Sequence, residues 1–545
     1  MRRGSITVFL SLVLVLVLSF FFAMLESGRV YCLKTEAEYV SRLYTQSVFA
    51  NYHQGLWEDY HLLLLDADRQ GSFSAGSLEG MAMAEARRNQ ERGSGLEAQG
   101  WDLLGLACRD VRADSYLLAT DGEGQAFLQA VCRQMMLEIP ADALEELKSR
   151  KEQSREAEGN AQGQEERWEQ ALDALEEAQD IREQEEASSS GEQGEGAGGS
   201  EGSAGSGGSA GTGGNTGSGG STGTGGSTGT GGSTGTGGST GSGGSLEAGE
   251  EVQENPMEYV EQLKASSLLA LVLPAGSSLS AKGLPGEKLL TRRSLQQGTM
   301  ALADAGGVQE LMLWYYMQEY FSCFTGVSEK GPKQRSLDYE MEFLIGGKET
   351  DGENLEKVVG ELLALREAMN FITLMGDTAK KQQAMTLATA LVGFTGIAPL
   401  VMAVQIGILL AWAFVESVLD IRTLLEGGKI SMLKTAGEWS SDVGHCRENV
   451  ERNLTAGEDE KGLSYVQYLL LLLFLHSAGE LSFRCMALME QNEQVRMDHM
   501  VMAAKLDFTY GAKPLFWNLN LLAAGSFEEL SFSGEGTCSY IGGSH

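Results

Sequence analysis

The sequence has little cysteine and histidine, and each scarcity excludes a class of site. Its seven cysteines lie singly along 545 residues with no Cys-x-x-Cys pair, which excludes a disulfide framework and a zinc site of ordinary spacing. Its six histidines form no His-Glu-x-x-His or comparable ligand pattern, and no Walker loop is present. The residues indicate no catalytic, cofactor or metal site. We therefore predict a protein that is not an enzyme and binds no small-molecule ligand.

Basic residues are also scarce, with 41 Lys and Arg against 75 Asp and Glu and a formal net charge of −34. No Lys/Arg stripe exists that could neutralise phosphates, so we expect no nucleic-acid partner. Residues 141–255 contribute about half of this charge. Within them, residues 141–186 are rich in Glu, Gln and Ala with little apolar periodicity, which predicts a solvated or frayed charged helix.

Glycine, by contrast, is concentrated in one segment. Of the 71 glycines, 28 lie between residues 191 and 250, around a Gly-Gly-Ser-Thr-Gly-Thr repeat that runs through residues 219–245. Such a composition cannot form a packed core and is typical of a flexible coil. The pattern predicts a disordered Gly/Ser/Thr linker over residues 187–254.

The N-terminal 30 residues have the pattern of a membrane anchor. Ile6 to Leu25 is a run of twenty residues without charge, and at about 1.5 Å per residue it matches a hydrocarbon core of roughly 30 Å. No convincing signal-peptide cleavage site follows, so we expect an uncleaved anchor. Arg2 and Arg3 predict a cytoplasmic N-terminus, with the bulk of a single-pass chain outside the cell membrane. The anchor positions that we single out are Ile6, Phe9, Leu10, Leu14, Leu18, Phe21 and Leu25.

A stalk helix is predicted to continue from the anchor. The first proline is Pro140, and apolar residues recur every three or four positions as far as Leu63. The pattern predicts one helix from about Ile6 to Leu65, roughly 90 Å long. Its apolar stripe packs either on this chain's own globular part, which we favour, or on another subunit. The stripe comprises Val40, Tyr44, Val48, Tyr52, Leu56 and Tyr60.

The remaining pattern predicts a mainly α (α+β) fold, in which a helical-bundle core carries a minor β component. Residues 31–140 would hold the stalk and the N-terminal half of the ectodomain, with a strand or two between 101 and 120. Residues 255–545 would form its mainly helical C-terminal half, with a small sheet after residue 508.

One segment, Ile397–Val415, is apolar enough to cross a bilayer. It contains Pro399 and Gln405, and the flanking charges show no bias to one side. A central helix that is buried on all sides gives the same signal, and we favour that interpretation over a second span.

Three charges follow this segment: Glu416, Asp420 and Arg422. Glu416 and Asp420 share a helix face, because they are four residues apart. Either the charges form a functional salt-bridge cluster or they mark where a buried helix reaches the surface, and we favour the second reading.

Several blocks of the sequence resemble a known group of proteins. Arg3–Leu10 is similar to the start of TadE/TadG-type proteins of tight-adherence (Tad/Flp) pilus clusters. Further blocks resemble an uncharacterised family of membrane-anchored bacterial proteins encoded beside such clusters; they are Ser47–Tyr52 with Leu56–Tyr60, Leu337–Lys348, Leu363–Asn370, Ala411–Ser417 with Asp420, and Gly462–Leu469. The resemblance implies a surface-exposed assembly or accessory component that contacts other pilus or envelope proteins.

The resemblance has one departure. Processed pilins carry glutamate five residues after the cleaved glycine, whereas here Gly4 is followed at that place by Phe9. This difference argues against cleavage after Gly4 and against incorporation into a fibre as a true pilin.

Two functions are consistent with these patterns. The first is a non-enzymatic, membrane-anchored cell-surface protein that serves a Tad-like pilus or secretion system. The alternative is a surface adhesin or sensor whose C-terminal block binds a ligand at the end of the flexible linker.

Overall fold

The computed structural model describes residues 3–68, 72–95, 103–161, 163–191, 255–274, 276–286, 289–302, 307–452, 454–457, 459–516 and 528–541. Nearly all of the predicted linker, residues 187–254, lies outside these ranges. The described part of the chain is mainly helical with a small sheet, and it begins with a long apolar helix. The predicted fold class is therefore confirmed.

The elements of the N-terminal part end at residue 191. They are α1 (Arg3–Phe49), α2 (Gln54–Tyr60), β1 (Leu65–Asp66), α3 (Ala75–Gly95), β2 (Ala107–Leu118), α4 (Gln125–Glu138), α5 (Ala141–Ala161) and α6 (Gln164–Gly191).

The elements of the C-terminal part begin at residue 256. They are α7 (Pro256–Lys264), α8 (Leu268–Val272), α9 (Gly307–Tyr320), α10 (Glu340–Gly346), α11 (Asp351–Gly376), α12 (Thr378–Val392), α13 (Ala398–Leu425), β3 (Lys429–Ile430), α14 (Cys446–Glu451), β4 (Leu463–Ser464), α15 (Tyr465–Leu473), α16 (Ala478–Glu493), β5 (Met500–Ala512) and β6 (Leu530–Ser539).

The main sheet joins the two parts of the chain. Strand β5 is its centre and pairs antiparallel with β2, β6 and β1. Strand β2 pairs with most of β5 along one edge. Strands β1 and β6 therefore pair with the other edge of β5, β1 with residues 500–501 and β6 with residues 503–512. The segments 31–140 and 255–545 thus contribute strands to the same sheet, and they are not two separately folded bodies.

Helix α1 lies directly on β6. The packing is close because β6 presents Gly534 and Gly536 to the helix, where an added Cβ would collide with Ser41 and Thr45. The Ser41 hydroxyl also lies 2.8 Å from the hydroxyl of Tyr510 on β5. Small polar residues therefore form this contact, beside the larger side chains of the apolar stripe.

The stalk helix is shorter than predicted, because α1 ends at Phe49. The Asn51 side-chain amide donates to the carbonyl of Ser47 at 2.9 Å and satisfies part of the helix end. The His53 ring then accepts from the backbone N–H of Leu56 and caps the separate helix α2. The prediction of one helix to Leu65 was wrong because it relied on the spacing of apolar residues and ignored this capping pair.

The predicted stripe packs on this chain in two different cores. Tyr44 and Val48 are buried in a smaller core between α1, α3 and the sheet, where Val40 is half-buried. Leu56 and Tyr60 are buried in the larger helical core. The remaining member of the stripe, Tyr52, is exposed.

The acidic segment at 141–186 is more ordered than predicted. It forms α5 and α6, and α6 packs against α13. Its buried side chains include Trp168, Ala171, Leu175 and Ala178. These residues follow the helical spacing, but alanine contributes so little hydrophobicity that the surrounding Glu and Gln residues obscured the pattern.

Helix α13 is the centre of the helical core. It is long and apolar enough to cross a membrane, yet 61% of its most apolar window is buried inside the protein. Every residue from Gly407 to Leu425 is buried, and the helix packs against α6, α7, α11 and α12. From Gly407 onward the segment is part of a core helix, as we favoured from the sequence, whereas Ile397 precedes the helix and Met402 in its first turns is 57% exposed.

Because the sheet spans both parts, cutting the chain between them should not separate them. We expect that a protein with a specific protease site placed within residues 219–245, once cleaved in detergent micelles, elutes from a size-exclusion column as one particle containing both fragments. Separation of the fragments without denaturant would contradict the shared sheet. The uncleaved protein, treated with inactive protease, provides the control.

Candidate functional site

The charged residues after the apolar segment lie in a closed network inside the helical core. Asp420 accepts hydrogen bonds from Nε and Nη2 of Arg366, at 3.0 and 2.8 Å, and both side chains are fully buried. Lys434 contacts the other Asp420 oxygen at 2.5 Å and also pairs with Glu416. The four charges balance, so the network carries no net charge into the core.

The backbone completes the network. Glu416 accepts hydrogen bonds from the N–H groups of Ser440 and Ser441. Arg366 donates to the carbonyls of Ser431 and Met432, which follow β3. The network therefore attaches the irregular segment after β3 to two helices of the core, α11 and α13.

Burial alone would raise the pKa of Asp420. The charges of Arg366 and Lys434 outweigh that effect and hold the pKa below its usual value. Asn370 adds a hydrogen bond to the same carboxylate at 2.9 Å. The acid is therefore ionised and fully engaged, which suits a structural role better than proton transfer.

Arg422 is not part of this network. Its guanidinium donates to three backbone carbonyls, those of Leu271, Val450 and Leu454. Our interpretation that Glu416, Asp420 and Arg422 mark the point where the helix surfaces was wrong, because all three are buried. Arg366 and Lys434 could not be recognised as partners from the sequence, since they come from other elements.

A second buried network surrounds α10, which is buried along its whole length. Glu340 pairs with Arg335 and accepts a hydrogen bond from the backbone N–H of Ser322. Glu342 accepts hydrogen bonds from the N–H of Phe324, at 2.9 Å, and from the hydroxyl of Tyr465, at 2.8 Å. Both acids thus hold the loop that follows α9.

Glu342 differs from Asp420 because no cation of the described residues pairs with it. Burial raises its pKa to about 7, although its hydrogen bonds lower it partly. Its second carboxyl oxygen, Oε2, is buried and accepts no hydrogen bond. A protonated carboxyl group fits this environment.

The predicted anchor residues form the exposed start of α1. Nothing in the most apolar window of this helix is buried, and the helix is long and apolar enough to cross a membrane. All seven side chains are exposed, from Ile6 at 65% to Leu25 at 37%. Unlike α13, this segment has no protein core to cover it.

A buried ion pair lies just beyond the anchor. Glu26 and Arg29, one turn apart on α1, are 2.7 Å apart and shielded from solvent. Arg29 donates to the carbonyls of Leu103 and Leu104, at 2.5 and 2.6 Å, and Glu26 accepts from the N–H of Phe516 at 2.7 Å. We name these contacts the Glu26–Arg29 clamp, because they attach two loops to the helix.

An open groove of about 1260 Å³ runs beside β6. Its lining includes Glu38 and Arg42 of α1, most residues of β6 from Ser533 to Ser539, and residues of the neighbouring strands β2 and β5. The N–H of Tyr540 donates to the carbonyl of Met502, so these two residues form a hydrogen-bonded pair of the β5–β6 ladder. Hydrogen-bonded and non-hydrogen-bonded pairs alternate along an antiparallel ladder, so the backbone N–H and C=O groups of Glu535 and Thr537 point away from β5. Along the described residues, β6 is thus an uncovered edge strand, here named the β6 edge.

The described residues contain no group of three or more His, Cys, Asp or Glu side chains that could hold a metal ion. In the two buried networks they pair the acids with basic side chains, backbone N–H groups, and the side chains of Tyr465 and Asn370. The described residues therefore offer a helix long and apolar enough to span a membrane, a helical core with two buried polar networks, and an open strand edge.

Comparison with known proteins identifies one family. The model of a family of unknown function, DUF5702, matches residues 247–512, just under half of the chain. The match ends with β5, so the partners of that strand in the main sheet, β1, β2 and β6, lie outside it. Neither the curated proteins nor the solved structures give a match.

The first buried network should be sensitive to the loss of one partner. We expect Asp420→Ala to lower the free energy of unfolding by about 3–5 kcal/mol, because Arg366 and Lys434 would stay buried with one acid fewer. Glu448→Ala, which removes an exposed ion pair with Arg452, should cost at most about 1 kcal/mol. Urea unfolding followed by tryptophan fluorescence measures both. Equal losses in the two variants would show that the network contributes no more than a surface pair.

Glu342 should make stability depend on pH. Its pKa rises from 4.5 to about 7 on folding, so the folded state holds the proton more tightly and stability falls as the pH rises through 7. Glu342→Gln should remove this fall and be more stable than the unmodified protein at pH 8, by about 2–3 kcal/mol. Unfolding measured at pH 5 and pH 8 tests this. Parallel behaviour of the two proteins across that range would contradict a raised pKa.

Proposed function

We propose that this chain is a non-enzymatic, membrane-anchored cell-surface protein that serves a Tad-like pilus or secretion apparatus. The observation that carries the proposal is α1. Its first 20 or so residues are apolar and uncovered, while the rest of the same unbroken helix packs on the ectodomain. Such a helix fixes a folded domain to a bilayer without an intervening joint.

The orientation belongs to the same proposal. Arg2 and Arg3 precede the apolar run and favour a cytoplasmic N-terminus, which leaves the ectodomain outside. The burial of α13 from Gly407 to Leu425 supports a single crossing, because α6, α7, α11 and α12 pack against this helix.

The resemblance to Tad-cluster proteins suggests which apparatus the chain serves, and we assign the contact with that apparatus to the β6 edge. The β6 edge offers outward-facing backbone groups to an extended segment of a partner, which can pair with it as an added strand. Small side chains at Ser533 and Thr537 leave the groove open along this edge.

The adhesin or sensor function ranks second. It required a C-terminal block that acts at the end of a flexible arm. Since β5 lies between β2 on one side and β1 and β6 on the other, residues 255–545 are held against the N-terminal part and the membrane helix. A ligand-binding role would then belong to the whole ectodomain.

A mutation that tests the association with the apparatus must not alter the buried residues of the stripe. Val48→Asp would introduce a charge into the smaller core and disrupt folding, whatever the partner. Thr537→Pro removes an N–H that faces away from β5, and proline is tolerated on edge strands. Thr537→Val keeps the N–H and the shape of the side chain, so it is the matched control.

We expect the tagged full-length chain, extracted from its own cells in mild detergent, to co-purify with Tad-like apparatus subunits identified by mass spectrometry. Thr537→Pro should lower their recovery about tenfold, whereas Thr537→Val should retain it, because backbone pairing needs the N–H. Recovery no higher than with an unrelated single-span protein would refute the proposed function. Equal recovery of the subunits with both variants would show that the contact does not lie at the β6 edge.

A further inference from the structure

The Glu26–Arg29 clamp fixes the height of two loops relative to the membrane. The uncharged run of α1 ends at Leu25, and the clamp residues follow within about 6 Å along the helix axis. The interfacial layer on each side of the hydrocarbon core is about 5–8 Å thick. The loops bonded to Glu26 and Arg29 therefore lie at the level of the lipid headgroups.

The side chains of these loops are apolar. Leu103, whose carbonyl accepts from Arg29, is 52% exposed, and Leu104 is half-buried. Leu515 and Phe516, whose N–H groups donate to Glu26, are half-buried. These four residues lie on the side of the helix that carries Glu26 and Arg29, where it leaves the bilayer, and we name them the collar.

We propose that the collar is a second membrane-contacting surface, which docks into the interfacial layer of the phospholipid bilayer and holds the ectodomain in one orientation. On the face of α1 that carries Glu26, half-buried Phe22 lies one turn below and exposed Leu18 two turns below, so apolar side chains continue from the anchor to the level of the loops. This inference rests on the proposed membrane anchoring.

The chemistry favours lipid over a protein partner. Glu26 and Arg29 neutralise each other and turn their polar atoms toward the loop backbone, so the collar itself presents apolar side chains. Arg29 also donates to the carbonyl of Lys513, whose exposed side chain can reach the phosphates of the headgroups while the apolar side chains insert. Phosphatidylcholine alone should therefore be sufficient.

The test uses the full chain in phosphatidylcholine nanodiscs, with Cys32, Cys108 and Cys538 replaced by serine because they are the cysteines not buried in the described structure. A single environment-sensitive fluorophore is attached to Leu103→Cys, and lipids carrying a nitroxide near the headgroup act as the quencher. Phe21→Cys in the anchor is the positive control. Tyr39→Cys, 64% exposed and about 15 Å above Arg29 along α1, is the negative control.

We expect the Leu103 probe to lose fluorescence at least about twofold, like the Phe21 probe, while the Tyr39 probe is unchanged. An unquenched Leu103 probe beside a quenched Phe21 probe would overturn the collar but leave the anchor intact. A Leu103 probe that is blue-shifted without quenching would show that protein covers it, which also overturns the proposal. Loss of quenching at Phe21 would refute the anchor, and the collar with it.

Discussion

The pairing of β5 with β2 is the constraint on which the rest of the fold depends. Strand β2 comes from the N-terminal part and β5 from near the C-terminus, so nearly the whole chain must be present before this sheet can close. The sheet then provides the surface on which α1 packs, through Gly534 and Gly536. The direction in which α1 leaves the fold is therefore determined by residues from the last tenth of the sequence. The match to the family of unknown function stops at β5 and so covers only part of this unit.

Two buried polar networks stabilise the helical core, and they do so differently. Asp420 is ionised between Arg366 and Lys434, whereas Glu342 has hydrogen bonds but no cation. Buried charges contribute little net stability compared with apolar side chains, but an unpaired one is costly, so such networks favour one arrangement of the surrounding elements over others. Here each network attaches an irregular segment, after β3 or after α9, to helices that are otherwise held by apolar contacts.

Sequence periodicity was sufficient to predict the apolar start of α1, the mainly helical class and the burial of α13, because large apolar residues at regular spacing dominate those segments. It did not predict the end of α1, which depends on single polar residues, Asn51 and His53, that cap helices. It also missed the packing of α6, where alanines form the buried face. The partners of Asp420 could not be predicted at all, since Arg366 and Lys434 come close only through the tertiary fold. Patterns within one element are readable from sequence, and contacts between elements are not.

Helices α6 and α7, on either side of the glycine-rich segment, both pack on α13 at one place. A side chain at Gly407 would meet Ala171 of α6 and Met257 of α7 together. The segment between these helices therefore starts and ends on the same folded body, so it is a loop of that body and not a spacer between two bodies. The entropy of closing such a loop changes only with the logarithm of its length, so doubling the number of residues in the loop costs about 0.6 kcal/mol. The number of glycine-rich repeats can accordingly vary widely with little effect on the free energy of unfolding.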